Sequence, residues 1–216
     1  MATATSIPPQ ERLGFPSEGE TIQSDLYGRL PATRVAILVH GQNWDASGWR
    51  GVAPLFVARG VPALAVNLRG YAGSTGKTNR YRAGKPWTPV ADLRAAKAAL
   101  RTRGVKEIAL VGSSMGGSAV LASSFEGDVE CVVAISAPVA AVPDDLSKKI
   151  SGRKLFVFAD RDRLRLMPNV LSCFAAAGAP KKLVAFGGSE HSRAMFTASY
   201  GDDALGEIVE FVCRRG

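Results

Sequence analysis

The chain has 216 residues, of which 46% are hydrophobic and 21% are charged, and its net charge is +8. This composition is typical of a globular protein with one buried core and argues against a disordered chain. No apolar run is long enough to span a bilayer, and the amino terminus has no basic stretch followed by an apolar one. We therefore expect a cytoplasmic protein with no membrane span. We predict a single domain over residues 1–216, with residues 1–16 flexible or loosely docked.

The cysteines and the basic residues are both scattered along the chain. Cys131, Cys173 and Cys213 are far apart and odd in number, which argues against a disulfide framework and a paired-cysteine metal site. The net charge of +8 raises the question of nucleic acid binding. The basic residues form no single stripe interleaved with aromatic residues, so a solvated surface is the simpler interpretation. We therefore expect no nucleic acid partner.

Residues 21–27 alternate apolar and polar side chains, which predicts an antiparallel edge strand. Continuous apolar runs, typical of strands buried on both faces, follow at residues 35–39, 63–66, 108–111, 129–135, 155–158 and 183–186. Helical spacing occurs at residues 49–59, 89–103, 115–125, 168–177 and 202–213. This alternation predicts an α/β fold, a doubly wound and mostly parallel sheet with helices on both faces. The loop 70–88 is long, basic and rich in glycine, and loops of that length are usually functional or mobile.

The predicted strand 108–111 runs directly into residues 112–117, GSSMGG, and a helix then begins. This is the G-x-S-x-G pattern in the context of strand, sharp turn and helix that it requires. Glycine at positions 112 and 116 allows the strained turn, because side chains there would clash as the backbone doubles back. We therefore predict that Ser114 is a nucleophile whose hydroxyl lies above the sheet, near the positive end of the following helix.

A serine hydroxyl needs a base to attack at neutral pH, and the chain has two histidines. His191 follows the last predicted strand and satisfies the order nucleophile, acid, histidine, whereas His40 does not. We predict His191 as the base, and for His40 we favour a structural role in bonding to loop backbone.

The histidine in turn needs an acid that fixes its tautomer and stabilises the imidazolium. Two aspartates follow the strand 155–158. We favour Asp162 because it lies further into the loop and is better able to reach His191. Asp160 is the alternative, and its carboxylate also suits a role in holding the loop through backbone amides.

The tetrahedral intermediate needs two amide donors. One is expected to be the backbone N–H of Met115, the residue after the serine. For the other we favour Gln42, because Gly41 lets the backbone turn the next amide inward. A plain strand-to-helix turn is the alternative interpretation.

Together these motifs resemble the α/β-hydrolase family, and they occur in the family's order. The resemblance rests on residues 40–41, 67–74, 112–117, 159–162 and 187–191 and covers nearly the whole chain from about residue 21. Residues 67–74 are similar to the family's D-x-R-G-x-G-x-S, with Asn67 where Asp is common. Residues 159–162 are similar to its G-x-x-D, with Ala159 in place of Gly, and this comparison selects Asp162.

The resemblance implies a compact member without a helical cap, because only residues 137–153 separate two strands where a cap would be inserted. Such members include small carboxylesterases, acyl-thioesterases and dienelactone-hydrolase-like proteins. We expect hydrolysis of small carboxylic esters through an acyl-enzyme. A thioesterase, lactonase or peptidase with the same triad, or a non-catalytic binding protein, is the alternative. We expect no metal and no cofactor, and a pocket wall that uses Trp44, Tyr71 and Met167, each of which also suits a core position.

Overall fold

The computed structural model describes residues 9–139, 142 and 144–214. Its strands are Glu11–Ser17 (β1), Glu20–Tyr27 (β2), Arg34–Val39 (β3), Ala63–Val66 (β4), Glu107–Ser113 (β5), Cys131–Ile135 (β6), Arg153–Ala159 (β7) and Lys181–Phe186 (β8). Its α-helices are Ala53–Val57 (α1), Thr88–Arg101 (α2), Met115–Ser123 (α3), Asp144–Ser147 (α4), Met167–Ala176 (α5) and Gly201–Cys213 (α6).

Within the described part of the chain, eight strands form one sheet in the order β1-β2-β4-β3-β5-β6-β7-β8. The strands β4, β3, β5, β6, β7 and β8 pair in parallel, whereas β2 pairs antiparallel with both β1 and β4. The predicted fold class is therefore confirmed. The sheet places β5, which carries the predicted nucleophile at its carboxyl end, between β3 and β6.

The central strands are buried on both faces, which explains their continuous apolar runs. In β3, Val35, Ile37 and Val39 contribute to one core cluster, while Ala36 and Leu38 contribute to the other. All five side chains are fully inaccessible to solvent. Two helical layers therefore cover the sheet, and only its edges and its loops meet water.

The amino-terminal part of the sheet corrects two predictions. Residues 21–27 do form a strand, but β2 is not an edge, because β1 pairs along its outer side over residues 11–17. Residues 11–16 are consequently not flexible, and the side chains of Leu13 and Phe15 are buried in the core. Gly14 and Pro16, which have low strand propensity, occupy the exposed positions between them and conceal the alternation. Residues 1–8 lie outside the described residues.

One predicted segment takes the expected form and another differs from it. The short helix α4 lies in the segment between β6 and β7 where a cap would be inserted. The predicted helix 49–59 is broken into a 3₁₀ turn, Ala46–Trp49, and α1, which begins beside Pro54. Among the described residues, no helix has the length and apolar character needed to cross a membrane.

The long loop between β4 and α2 is tied to the helix by a buried ion pair. Arg69 Nη2 lies 2.7 Å from Asp92 Oδ1, and the Asp92 side chain is fully buried. The Arg69 amide donates to the other Asp92 oxygen at 2.9 Å, and the Ser17 hydroxyl donates to Oδ1 at 2.9 Å. The start of the loop is thus fixed against both α2 and β1, at the edge of the sheet where the strands β3–β5 end.

Candidate active site

Ser114 lies on a strained turn between β5 and α3. Its backbone has φ 53° and ψ −119°, a conformation that is costly for a residue with a side chain and that concentrates at functional sites. Its amide donates to the Ile135 carbonyl at 2.8 Å, which anchors the turn to β6. A Cβ added to Gly116 would lie 2.4 Å from the Val39 carbonyl oxygen, so only glycine fits this approach.

The Ser114 hydroxyl contacts His191, which follows β8. The distance from Ser114 Oγ to His191 Nε2 is 2.8 Å. His191 is 8% exposed and precedes a 3₁₀ turn, Ser192–Thr197, so its imidazole is held at the surface of the core with one nitrogen facing the serine. This is the distance at which an imidazole can accept a serine proton.

The second imidazole nitrogen faces Asp162. His191 Nδ1 lies 2.8 Å from Asp162 Oδ2 and 3.1 Å from Oδ1, and the carboxylate is fully buried. The Leu164 amide donates to Asp162 Oδ1 at 2.9 Å and fixes its orientation. Asp160 instead accepts a hydrogen bond from the Gly188 amide at 3.0 Å, and its side chain is 37% exposed. The geometry therefore brings Asp162, and not Asp160, to the histidine.

His40 occupies a different environment. Its ring is fully buried, its Nδ1 lies 2.8 Å from the Gly41 carbonyl, and its Nε2 accepts from the Leu68 amide at 3.1 Å. Burial lowers the pKa of His40 from 6.5 to about 4, so the imidazole is neutral at neutral pH. These bonds join the loop after β3 to the loop after β4, as expected of a structural histidine.

The two residues predicted to supply amide donors face one cleft. Met115 is the first residue of α3, where the backbone N–H has no partner within the helix. The Gln42 carbonyl accepts from the Tyr71 hydroxyl at 2.9 Å, which holds the loop after β3 against the loop after β4. Gln42 and Met115 both line a cleft of about 360 Å³, and Met115 directly follows Ser114 in the chain.

Three of the eight residues that line this cleft are aromatic. Tyr71, Tyr81 and Trp87 line it, and Tyr81 packs edge-on against Trp87 with ring centroids 5.6 Å apart. Of the residues predicted for the pocket wall, Tyr71 lines this cleft. The other predicted wall residues, Trp44 and Met167, do not line the cleft.

Met167 packs elsewhere, whereas Trp44 lies close to Ser114, since a Cβ added to Gly41 would be 2.6 Å from Trp44 Nε1 and 3.2 Å from Ser114 Cβ. The Trp44 ring lies 5.2 Å from the Trp49 ring and fills the space that a side chain on Gly48 would need. Met167 begins α5 and packs against the core cluster that contains Val170. Both residues are partly buried, because these contacts cover part of their apolar surface.

The sequence prediction missed several groups near Ser114. The hydroxyls of Ser113 and Ser192, each adjacent in sequence to a member of the Ser114–His191 pair, lie 2.7 Å apart. Nothing in the sequence signals this contact, because it joins loops 79 residues apart. Arg80 also lines the cleft, and its only sequence signal is the length and basic character of the loop that carries it. Over the described ranges, no cluster of three or more His, Cys, Asp and Glu side chains could hold a metal ion.

An eight-stranded, mostly parallel sheet with a serine on a sharp turn after a central strand defines the α/β-hydrolase fold. The model of the alpha/beta hydrolase family matches residues 36–210, and the chain belongs to that family. The resemblance found in the sequence is therefore confirmed. No curated protein has a sequence that matches this chain.

Solved structures share the fold at low sequence identity. A predicted CIB-like hydrolase from Thermoplasma acidophilum superposes with a TM-score of 0.78 and 18% identity, covering 94% of this chain and 97% of that protein. A Pyrococcus furiosus esterase superposes with a TM-score of 0.78 and 16% identity, covering 93% and 89%. The protein Est1E from Butyrivibrio proteoclasticus, with bound ferulic acid, superposes with a TM-score of 0.74 and 16% identity, covering 93% of this chain and 96% of that protein.

Proposed function

We propose that this protein is a serine hydrolase that cleaves small carboxylic esters, with Ser114, His191 and Asp162 as its catalytic triad. The observation that carries the proposal is the continuous hydrogen-bonded chain from the Ser114 hydroxyl through both His191 nitrogens to the buried Asp162 carboxylate. A serine that serves only in a turn does not need a histidine oriented by a buried acid. These hydrogen bonds match the roles of nucleophile, base and acid in a catalytic triad.

The reaction follows from these contacts. The Ser114 oxygen attacks the ester carbonyl while its proton passes to His191 Nε2, and Asp162 stabilises the imidazolium that forms. The amides of Met115 and Gln42 donate to the negative oxygen of the tetrahedral intermediate. The intermediate collapses to an acyl-enzyme as His191 protonates the leaving alcohol. Water, deprotonated by His191, then releases the acid and restores the serine.

The dimensions of the cleft favour a small substrate over a large one. Its volume of about 360 Å³ is at the lower end of the range for small-molecule pockets, and its aromatic walls suit a compact apolar group such as an aryl or short acyl chain. Tyr71 takes the role of a substrate-contacting residue, since its ring lines the cleft and its hydroxyl holds Gln42. One of the three structural relatives described above is named an esterase, which agrees with this choice. Hydrolysis of a thioester, a lactone or a peptide bond would use the same triad.

The proposal is tested with a fluorophosphonate probe and a short-chain nitrophenyl ester. The native protein is expected to incorporate the probe at Ser114, seen by mass spectrometry of the labelled peptide, and to release nitrophenol. Ser114→Ala is expected to lose both reactions while it unfolds at the same denaturant concentration. Ser199→Ala, in an exposed turn before α6, is the matched control and is expected to keep both. Full hydrolysis by Ser114→Ala would refute the proposal, and a panel of ester, thioester, lactone and peptide substrates would rank the bond types.

A further inference from the structure

The cleft beside Ser114 contains a cationic side chain without an acidic counterpart. Arg80 lines it together with Gln42 and Met115. Among the described residues that line this cleft, none is acidic, and no carboxylate in the described ranges forms an ion pair with Arg80. The guanidinium is thus a positive charge beside an otherwise aromatic and amide-lined surface.

Two other clefts of the described structure combine cations with carboxylates. One at the opposite edge of the sheet is lined by Arg34, Arg59 and Arg153 and also by Glu107 and Glu130. Arg34 Nε lies 2.8 Å from Glu107 Oε2, and Arg153 Nη2 lies 2.6 Å from Glu130 Oε1. Another cleft combines the charged residues Arg12, Arg50, Asp25 and Asp45. The cleft that Arg80 lines differs from these two in having a cation and no carboxylate among its described lining residues.

Arg80 is held between two anchored residues. The Asn79 side chain accepts from the Thr88 amide at 2.9 Å and donates to the Pro86 carbonyl at 2.9 Å, which closes the loop onto the start of α2. The Trp87 indole donates to the Asn79 carbonyl at 3.1 Å, and Tyr81 packs against the same indole. The backbone that carries Arg80 is consequently fixed at the cleft, and only the guanidinium side chain has to adjust to a ligand.

The surroundings of the cleft reinforce its positive charge. The same loop carries further exposed cations, and the loops around Asp162 and His191 carry more: Lys77, Arg82, Lys85, Arg163, Arg165 and Arg193. These loops carry three acids, Asp160, Asp162 and Glu190, so their basic residues outnumber their acidic ones. A cleft lined by one sign of charge attracts ligands of the opposite sign.

We propose that the substrate is an ester that carries an anionic group, a carboxylate or a phosphate, at the end remote from the scissile carbonyl, and that Arg80 binds this group. The proposal rests on the proposed function, because it assigns the substrate class of the same site. The aromatic walls enclose the middle of such a molecule, and the planar guanidinium provides paired donors that match a carboxylate or a phosphate.

The test uses pairs of esters whose members differ in whether one remote carboxyl group is free or methylated. One pair places the charge on the acyl side: the nitrophenyl monoester of suberic acid and the same compound with its free carboxyl methylated. The other pair places it on the alcohol side: the acetyl esters of 4-hydroxybenzoate and of its methyl ester. A fifth substrate, the acetyl ester of 4-hydroxyphenyl phosphate, distinguishes phosphate from carboxylate. The native protein is expected to favour the charged member of at least one pair by about fivefold in kcat/KM, mainly through KM, with the preference decreasing at high salt.

Matched variants assign the preference to one residue. In Arg80→Gln the ratio of kcat/KM between charged and neutral esters is expected to fall close to one. Arg103→Gln, which removes an equal charge at an exposed site near the amino end of β5, is expected to keep the native ratio. Equal hydrolysis of both members of each pair by the native protein would overturn this inference alone, as would an unchanged ratio in Arg80→Gln. Absence of hydrolysis of every ester would overturn the proposed function and the inference with it.

Discussion

The hydroxyl oxygens of Ser113 and Ser192 lie 2.7 Å apart, and both side chains are buried. Ser113 directly precedes Ser114, and Ser192 directly follows His191. The contact therefore joins the end of β5 to the loop after β8 one residue away from the proposed nucleophile and base. The hydrogen bond fixes the distance between the end of β5 and the loop after β8, two segments that are far apart in sequence.

Removal of this contact is expected to affect turnover more than substrate binding. In Ser113→Ala, we expect kcat to fall about threefold to tenfold at unchanged KM, because the Ser114–His191 distance is less well defined. The free energy of unfolding is expected to fall by about 1 kcal/mol, since the buried Ser192 hydroxyl loses its partner. Ser118→Ala is the control, because Ser118 donates a buried hydrogen bond of 2.7 Å to the Pro138 carbonyl. A comparable fall in kcat in both variants would show that the effect reflects stability and not position.

The two aspartates after β7 are expected to differ in their effect on the rate. Asp162→Asn places an amide against His191 Nδ1 and disfavours the reactive tautomer, so kcat is expected to fall by about 10³-fold to 10⁴-fold. Asp160→Asn keeps an acceptor for the Gly188 amide, and kcat is expected to change by about threefold or less. Steady-state kinetics on a nitrophenyl ester measures both. A larger loss in Asp160→Asn than in Asp162→Asn would reverse the assignment of the acid.

His40 is expected to make the stability of the fold depend on pH. Its pKa is about 4 in the folded protein and near 6.5 in the unfolded chain, so the unfolded chain binds the additional proton between these values. The free energy of unfolding is therefore expected to fall by up to about 3 kcal/mol as the pH is lowered from 6.5 to 4. When the free energy of unfolding is measured by denaturant unfolding across this pH range, it is expected to depend less steeply on pH in His40→Asn than in the native protein. The Asp45 carboxylate, which also interacts with His40, is common to both proteins. The same pH dependence of the free energy of unfolding in both proteins would contradict the prediction.

The close approach at Gly116 is expected to make that position intolerant of a side chain. An added Cβ would lie 2.4 Å from the Val39 carbonyl oxygen and 2.5 Å from that of His40. We expect Gly116→Ala to lower the free energy of unfolding by on the order of 3 kcal/mol, because backbone atoms must move. Gly206→Ala is the control, since it lies within α6 with open space around it, and it is expected to stabilise the protein by about 0.5–1 kcal/mol. Similar unfolding midpoints for both variants would contradict this account of the turn.

The sequence by itself determined the class of fold and the order of the proposed triad. Strands buried on both faces need continuous apolar runs, and the turn that carries Ser114 needs glycine at positions 112 and 116, so both features are visible as local patterns. His191 was selectable because the chain has two histidines and one follows the last strand.

Only the tertiary structure decided the features that depend on distant contacts. β1 is a strand because β2 pairs with it, although Gly14 and Pro16 have low strand propensity. The sequence favoured Asp162 over Asp160, but only the path of the loop shows that the first contacts His191 and the second the Gly188 amide. The Ser113–Ser192 contact and the cleft with Arg80 likewise join segments far apart in sequence. Local sequence patterns indicate which faces of a segment are exposed to water and which are buried in the core. The positions of side chains across the site depend instead on how the completed sheet and its loops pack.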